Sequence, residues 1–240
     1  MTLSEELQQM LGERFRQFRA DARAFKRFMR AYRDPRPGID RQKLLEYYLS
    51  LTLLDLGPDD VYMDVAAQDC PFAFFVHETI GCRVFRQDLY YLKPGIHGTD
   101  IGGDAGEIPL RDESVSKMSL HNSFEHFESD ADTRFILEAQ RLLRPGGRIL
   151  IVPLYISSHY REERDAGWID EKGKKHLWGK GAQFARTYDP ASLKTRVLDP
   201  ARSLTPTLYE LLNASKLDPD CHLRFFLMLE KVAPASTKSG

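Results

Sequence analysis

The sequence predicts an α/β protein with a doubly wound, mostly parallel β-sheet. From residue 61 onward, short apolar strand-like segments alternate with amphipathic helical segments. One of these segments, RILIVPLY (148–155), is apolar enough to be buried on both faces, as the strands of parallel sheets usually are. Strands and helices that alternate at this spacing are typical of a doubly wound domain.

The composition supports a globular domain and argues against nucleic-acid binding. Hydrophobic residues make up 42% of the 240 residues, and 34 basic residues nearly balance 35 acidic ones. The three cysteines (Cys70, Cys82 and Cys221) form no CxxC pair, so we expect neither a disulfide framework nor a metal site. The charged N-terminus and the lack of a long apolar run predict a cytoplasmic protein without a membrane span.

The first 55 residues are predicted to be an N-terminal helical extension. Apolar residues recur between positions 3 and 32 at steps of three, four and seven, which predicts one long helix with an apolar face. This face would pack on the main domain or, in a homodimer, on a partner subunit. A membrane-surface or RNA-binding helix is the alternative, but four acidic residues dilute its positive charge. RDPRPGID (33–40) breaks the pattern, and a second helix follows over about 41–55.

The alternating part of the chain gives a clear order of elements. We expect a strand at 61–67, a helix ending at Gly81, a strand at 82–89 and a short extended piece near 99–102. A strand at 116–122 and a helix at 130–143 follow, and the RPGG turn leads into the apolar strand. The main domain therefore covers 56–233, and the polar tail 234–240 is expected to be disordered.

Residues 155–188 form a long, irregular insertion after the apolar strand. They contain both tryptophans, which favours an ordered substrate lid over a disordered surface loop. Many of their side chains are basic, so the lid could recognise an anionic substrate such as a nucleotide-linked sugar, a phosphorylated metabolite or an acidic glycan. Acidic residues are interspersed among them, so a solvated charged face stays equally open.

Three stretches of the sequence carry a family resemblance, namely RLLRPGGRILIVPL (141–154), GDAGEIPLRDESVSKMSLHNSFEHF (103–127) and CHLRFFLMLEKV (221–232). Together they resemble the class I S-adenosylmethionine-dependent methyltransferases, particularly the branch called methyltransferase type 11. The first is similar to the family's turn into its fifth strand, the second to the stretch around its fourth strand, and the third to its closing antiparallel strand. The resemblance implies a seven-stranded sheet with an antiparallel last strand, and S-adenosyl-L-methionine as the cofactor.

The family's first motif, an acid followed by three alternating glycines, is altered here. In MDVAAQDCPFA (63–73) the acid is Asp64, and Ala66, Gln68 and Cys70 stand at the glycine positions. The turn must then run through ordinary dihedrals or accept strain, because alanine and glutamine rarely adopt a positive φ. Asp64 could pair with the ammonium of the cofactor, and Asp69 could cap the next helix. The alternative is a pocket that side chains close.

The resemblance also implies which further residues contact the cofactor. Asp88, at the end of the second strand, corresponds to the acid that binds the ribose hydroxyls. Asp104 and Ala105 correspond to the residues beside the adenine. His121 and Asn122 follow the fourth strand and face the crevice at the carboxyl edge of the sheet, where ligands bind in this architecture. Tyr90 and Tyr91 either cover the adenine or cap the core.

Methyl transfer to oxygen needs a general base, and histidine suits this role near neutral pH. His126 and His159 are the candidates. The Glu125–His126 pair contacts a metal or the substrate in some members of the family and is structural in others. No metal is expected here.

We therefore predict an S-adenosylmethionine-dependent methyltransferase acting on a small molecule or a glycan or nucleotide-sugar acceptor, with oxygen the favoured target atom. The rival hypothesis is a methyltransferase-fold pseudoenzyme that acts as a binding or scaffold subunit, which the missing glycines favour. An NAD-dependent oxidoreductase is excluded because its fingerprint needs those glycines even more.

Overall fold

The computed structural model describes residues 1–32, 39–164 and 184–232, together with the backbone of 167–169 and 175–177. The helices within these ranges are α1 (Leu3–Leu11), α2 (Ala22–Ala31), α3 (Arg41–Leu54), α4 (Phe72–Ile80), α5 (Ala131–Leu142), α6 (Pro190–Leu193) and α7 (Ala214–Leu217). The strands are β1 (Phe15–Phe18), β2 (Val61–Val65), β3 (Arg83–Asp88), β4 (Gly95–His97), β5 (Asp100–Gly102), β6 (Val115–His121), β7 (Leu143–Val152), β8 (Arg161–Glu163), β9 (Gly167–Ile169), β10 (Lys175–Leu177), β11 (Ala185–Thr187), β12 (Leu204–Leu211) and β13 (Phe225–Lys231).

The main sheet has the order β1-β12-β13-β7-β6-β2-β3-β5-β4. Strands β2, β3, β5, β6 and β7 are parallel, and the last strand, β13, runs antiparallel between β7 and β12. The doubly wound, mostly parallel sheet with an antiparallel last strand is therefore confirmed. Seven of these strands form the expected sheet, and the short strands β1 and β4 extend its two edges. The strand order reverses between β2 and β6, which opens a crevice at their carboxyl ends.

The single long helix expected over residues 3–32 is wrong. Helix α1 ends at Gly12, which has a φ of 58°, and the chain then forms β1, which pairs in parallel with β12. Phe15 and Phe18 are three residues apart, so they imitate a helical face while lying on a strand. The two helices use their apolar faces within the chain, where Leu7 and Phe25 are fully buried. The proline-rich break at 33–38 lies outside the described residues.

Two apolar clusters cover the two faces of the sheet. Alternation along β7 sends Ile149 and Ile151 into one cluster and Leu150 and Val152 into the other. Helix α5 packs on the first face, whereas α3 and α4 pack on the second. Both faces of the central strands are therefore buried, as the apolar composition of RILIVPLY predicts. Within the described part of the chain, no helix combines the length and hydrophobicity needed to cross a membrane.

The two ends of the 155–188 insertion come together beside α5. Strand β8 pairs antiparallel with β11, and the side chain of Arg186 on β11 is fully buried. Its guanidinium lies 2.8 Å from the carboxylate of Asp132, which is also fully buried at the start of α5. The side chains of residues 165–183 and the tail 233–240 lie outside the described residues, so the lid and the disordered tail stay predictions.

Candidate active site

A cavity of about 880 Å³ lies at the carboxyl ends of β2, β3 and β6, where the strand order reverses. It is lined by nine of the residues predicted for the site, namely Asp64, Ala66, Gln68, Asp88, Asp104, Ala105, His121, Asn122 and His126. Glu125 and His159 do not line it in the described part of the chain. A volume of this size lies within the usual range for sites that bind a cofactor or a small molecule.

The turn after β2 accepts backbone strain at the positions that lack glycine. Ala66 has a φ of 52° and Gln68 a φ of 45°, both in the left-handed region. Each such residue costs about 1–2 kcal/mol relative to an ordinary conformation. The turn is fastened to β3, because the amide of Ala67 donates to the carbonyl of Gln87 at 3.0 Å. The space beside the turn stays open, so the side chains do not close the pocket.

The start of α4 differs from the expectation. Its N-cap residue is Pro71, and no side chain makes a capping hydrogen bond there, so the predicted cap by Asp69 is wrong. The proline occupies the position before the first turn and presets the backbone. Gly81 ends the helix in the left-handed conformation with a φ of 85°, as predicted.

Asp64 lies at the inner end of the cavity and is almost completely buried. Its Oδ1 accepts a hydrogen bond from Nδ1 of His121 at 3.1 Å. Its Oδ2 has no hydrogen-bond partner among the residues that the structure describes. A buried carboxylate oxygen without a partner is costly, so this atom is suited to receive a cationic ligand group.

Asp88 ends β3 and lines the cavity beside the turn after β2. Its two oxygens accept hydrogen bonds from the backbone amides of Gln68 (2.7 Å) and Tyr90 (2.8 Å). Burial raises the pKa of this carboxyl above its ordinary value, against the lowering effect of the two amides. Each carboxylate oxygen can accept a second bond, so Asp88 can still receive ligand hydroxyl groups.

Asp104 and Ala105 lie at the outer part of the same cavity. Oδ1 of Asp104 accepts from the amide of Gly106 at 2.7 Å, and its Oδ2 pairs with Arg134 of α5 at 2.8 Å. Ala105 is buried and lines the cavity. The ion pair thus ties this loop to α5 at the rim of the cavity.

His121 and Asn122 follow β6 but have different surroundings. His121 is buried, and both ring nitrogens have partners, with Nε2 lying 2.8 Å from Oγ of Ser50. Asn122 has a φ of 50°, and its Oδ1 accepts a hydrogen bond from the hydroxyl of Tyr155 at 2.7 Å. His121 is therefore held by protein groups on both sides, whereas Asn122 is only half-buried and also lines the cavity.

His126 faces the cavity from the short helical turn after β6. Its Nδ1 lies 2.6 Å from the carbonyl oxygen of Phe184, and its Nε2 lies 3.6 Å from Oε1 of Glu125. A carbonyl can only accept, so Nδ1 carries the hydrogen, and in the neutral ring Nε2 carries the lone pair. Glu125 is buried behind the histidine, and burial raises the pKa of its carboxyl.

The other predicted aromatic and histidine residues lie at the edge of the site or outside it. His159 is exposed, and its Nδ1 lies 2.9 Å from Oγ of Ser158. Tyr90 lines the cavity although 64% of its surface is exposed. Tyr91 donates through its hydroxyl to the carbonyl of Gln68 at 2.7 Å, which fastens the strained turn from outside.

Some residues of the site were not predicted from the sequence. Lys43 of α3 lines the cavity and donates to the carbonyl of His121 at 2.8 Å, although nothing in the helical pattern of 41–55 marks it. Ser123 also lines the cavity, and its buried hydroxyl has no partner among the described residues. The polar pair HN before Ser123 was a usable signal, because polar residues directly after a buried strand often face a ligand site.

Comparisons with known proteins find a methyltransferase domain within the chain. Residues 54–151 match a type 11 family model described as a methyltransferase domain. The structure is similar to Burkholderia thailandensis 1,6-didemethyltoxoflavin-N1-methyltransferase, solved with 1,6-didemethyltoxoflavin and S-adenosylhomocysteine, at a TM-score of 0.56 and 16% identity over 88% of this chain and 87% of that chain. A comparison with curated protein sequences gave no match.

Two further solved structures share the fold. Geranyl diphosphate C-methyltransferase from Streptomyces coelicolor A3(2), solved with S-adenosyl-L-homocysteine, has a TM-score of 0.50 and 13% identity over 82% of this chain and 83% of that chain. The cyclase SpnF has the same score and identity over 80% of this chain and 81% of that chain. At these identities the likeness shows the fold alone.

The matched methyltransferase domain of residues 54–151 supports an S-adenosylmethionine-dependent methyltransferase, with S-adenosyl-L-methionine as its cofactor, and the fold agrees with this class. The cavity fits this cofactor in one respect that the structure itself shows. The Oδ2 of Asp64, which has no hydrogen-bond partner in the described part of the chain, offers an acceptor to a ligand ammonium.

Proposed function

We propose that the enzyme methylates a hydroxyl oxygen of a small-molecule acceptor, with His126 as the general base. The observation that carries this proposal is the contact of 2.6 Å between Nδ1 of His126 and the carbonyl oxygen of Phe184. It fixes the ring tautomer in which Nε2 is basic, which is the form that removes a proton from a hydroxyl group. Glu125 lies close enough to Nε2 to stabilise the imidazolium that results.

We propose that three carboxylates hold the cofactor. Asp64 would receive the ammonium of the methionine end, Asp88 the ribose hydroxyls, and Asp104 with Ala105 the adenine. The backbone of Ala66 and Gln68, with His121 and Asn122, would complete the wall. S-adenosylmethionine supplies a methyl group already activated by its positively charged sulfur. The residues of this chain then have to orient the acceptor in line with that group and remove its proton.

The wall charges favour a neutral acceptor over an anionic one. Among the described residues that line the cavity, the carboxylates are Asp64, Asp69, Asp88, Asp104, Glu128 and Asp130, and the lysines and arginines are Lys43 and Arg134. An anion would therefore meet an unfavourable potential along the described wall. The glycan or nucleotide-sugar acceptor depends on the basic residues of 165–183 and stays a prediction.

A labelled-methyl assay tests the proposed function. Purified protein is incubated with methyl-labelled S-adenosylmethionine and a panel of small phenols, sugars and nucleotide sugars, each paired with its amine analogue. We expect label on hydroxyl acceptors. His126→Ala should lower the rate by roughly 10²–10⁴-fold without changing the affinity for S-adenosylhomocysteine.

Two further variants complete this assay. His97→Ala, an exposed histidine on β4, is the control, and His159→Ala tests the second candidate base. Label confined to the amine analogues, or full activity in His126→Ala, would contradict the proposal. Methylation of nucleotide sugars in preference to neutral sugars would overturn the inference of a neutral acceptor.

A further inference from the structure

Three buried polar side chains from three different elements form a continuous hydrogen-bonded chain that ends at the cavity. Oγ of Ser50 on α3 lies 2.8 Å from Nε2 of His121 on β6, and Nδ1 of His121 lies 3.1 Å from Oδ1 of Asp64 on β2. Their exposed fractions are 0%, 7% and 1%. Buried polar side chains fix each other's orientation when each hydrogen bond between them pairs a donor with an acceptor.

The donors along this chain can be assigned. The carboxylate of Asp64 only accepts, so Nδ1 of His121 carries the hydrogen, and in the neutral ring Nε2 accepts from the hydroxyl of Ser50. The rings of Tyr47 and Phe72 meet the imidazole edge to face, each at a centroid distance of 5.0 Å. The imidazole therefore has a fixed tautomer and a fixed plane.

At the cavity end of these hydrogen bonds, one oxygen atom of Asp64 remains as an acceptor for a ligand. Because His121 occupies Oδ1 of Asp64, the carboxylate is oriented with its partnerless Oδ2 as the remaining acceptor. Ser50 is not among the described residues that line the cavity, so its hydroxyl acts through His121 and not on a substrate.

We propose that Ser50 is a positioning residue for the cofactor site, which through His121 holds the carboxylate of Asp64 against the ammonium of the methionine end. Helix α3 (Arg41–Leu54) lies almost entirely before the matched domain of residues 54–151, so the N-terminal part of the chain completes the site. Lys43 of the same helix adds a second contact, to the carbonyl of His121. The inference rests on the proposed placement of the ammonium at Asp64.

Comparing the binding of two ligands distinguishes a positioning role of Ser50 from a purely structural one. S-adenosylhomocysteine carries the amino-acid tail, whereas 5′-methylthioadenosine carries the same adenosine and sulfur without it. We expect Ser50→Ala to weaken the binding of S-adenosylhomocysteine by up to about tenfold, the upper end of the range for one hydrogen bond between neutral groups, and to leave 5′-methylthioadenosine unaffected. Thr52→Ala removes the hydroxyl of an exposed residue on the same helix, which donates to the backbone carbonyl of Tyr48, and should change neither affinity.

Two substitutions of His121 test whether its hydrogen bond to Asp64 is the contact that positions the carboxylate. In His121→Asn the side-chain amide lies near the position of Nδ1 and can still donate to Asp64, whereas in His121→Gln it lies near the position of Nε2. We expect His121→Asn to retain more of the preference for S-adenosylhomocysteine than His121→Gln. Isothermal calorimetry of the full chain measures all these affinities, and the thermal unfolding temperature of each variant is recorded beside them.

The outcomes are distinct. Equal loss of both ligands in Ser50→Ala, or no loss of either, would overturn the positioning role. Asp64→Asn tests the placement itself. If it discriminates between the ligands while Ser50→Ala does not, Asp64 holds the ammonium without help from Ser50. If neither variant discriminates, the proposed placement fails as well.

Discussion

The backbone amide of Gln68 donates a hydrogen bond of 2.7 Å to Oδ2 of Asp88, and this contact joins the turn after β2 to the end of β3. The same carboxylate accepts from the amide of Tyr90 through its other oxygen. Asp88 thus stabilises the backbone of the turn in which Ala66 and Gln68 adopt a positive φ, although neither is a glycine. The acid proposed to bind the ribose also maintains the shape of the neighbouring wall.

Asp88→Asn is expected to weaken the binding of S-adenosylhomocysteine by about 10–100-fold, because hydrogen bonds to a charged acceptor are worth about 1.5–3 kcal/mol. The 2′-deoxy analogue of the ligand separates the two tasks of Asp88. It should bind the wild type more weakly than the parent compound, and this difference should shrink in the variant. An undiminished difference would remove the ribose assignment and leave only the structural task. Asp112→Asn, an exposed acid remote from the cavity, is the control.

Ala66→Gly and Gln68→Gly should each stabilise the protein. Glycine relieves the strain of about 1–2 kcal/mol at a positive φ but adds about 0.5–1 kcal/mol of backbone entropy to the unfolded chain, so a net gain of about 0.5–1 kcal/mol is expected. Ala67→Gly is the matched control, since Ala67 is not among the residues with positive φ and should lose stability. Urea unfolding measures all three. A loss of stability in both strained positions would mean that their side chains make compensating contacts.

The sequence predicted many of the residues that line the cavity, because these residues follow strands with distinct apolar patterns. Asp64, Asp88 and His121 each lie at the end of a strand, and parallel strands bring their carboxyl ends to one edge. The strand β1 escaped prediction because pairing with β12, almost 200 residues further along the chain, overrides a local helical spacing. The contact between Ser50 and His121 escaped for the same reason, since nothing near Ser50 in the sequence marks it as polar and buried.

Glu125→Gln should change how stability depends on pH. Burial raises the folded-state pKa of Glu125 above its ordinary value, so its contribution to stability is full at low pH and is lost as pH rises through the folded-state pKa. The variant cannot lose a proton there, so its stability relative to the wild type should increase between pH 4 and pH 8. Denaturant unfolding over this range measures the difference. Glu107 is exposed, so Glu107→Gln should show no such trend. A stability difference between Glu125→Gln and the wild type that does not change with pH would contradict a raised pKa for Glu125.

The ion pair between Arg186 and Asp132 should be one of the strongest single polar contributions to stability. Both side chains are fully buried, and Arg186 also donates to the backbone carbonyls of Phe127 and Ser129 at 2.9 and 2.8 Å. Arg186→Met leaves the Asp132 carboxylate buried with one cation fewer, although Arg196 still contacts it at 2.7 Å. Removing one partner of a buried pair costs about 3–5 kcal/mol, and the remaining contact places this variant at the lower end.

The exposed pair of Lys194 and Asp199, at 2.6 Å, provides the matched comparison. Lys194→Ala should cost less than about 1 kcal/mol, because water and salt screen an exposed pair. Urea unfolding of both variants measures the contrast, and added salt should reduce the small effect of Lys194→Ala but not the large effect of Arg186→Met. Equal, small losses would show that Arg186 does not stabilise the junction between the insertion and α5. If the loss in Arg186→Met is large, hydrogen exchange should increase first in β8 and β11, since the buried pair joins these strands to α5.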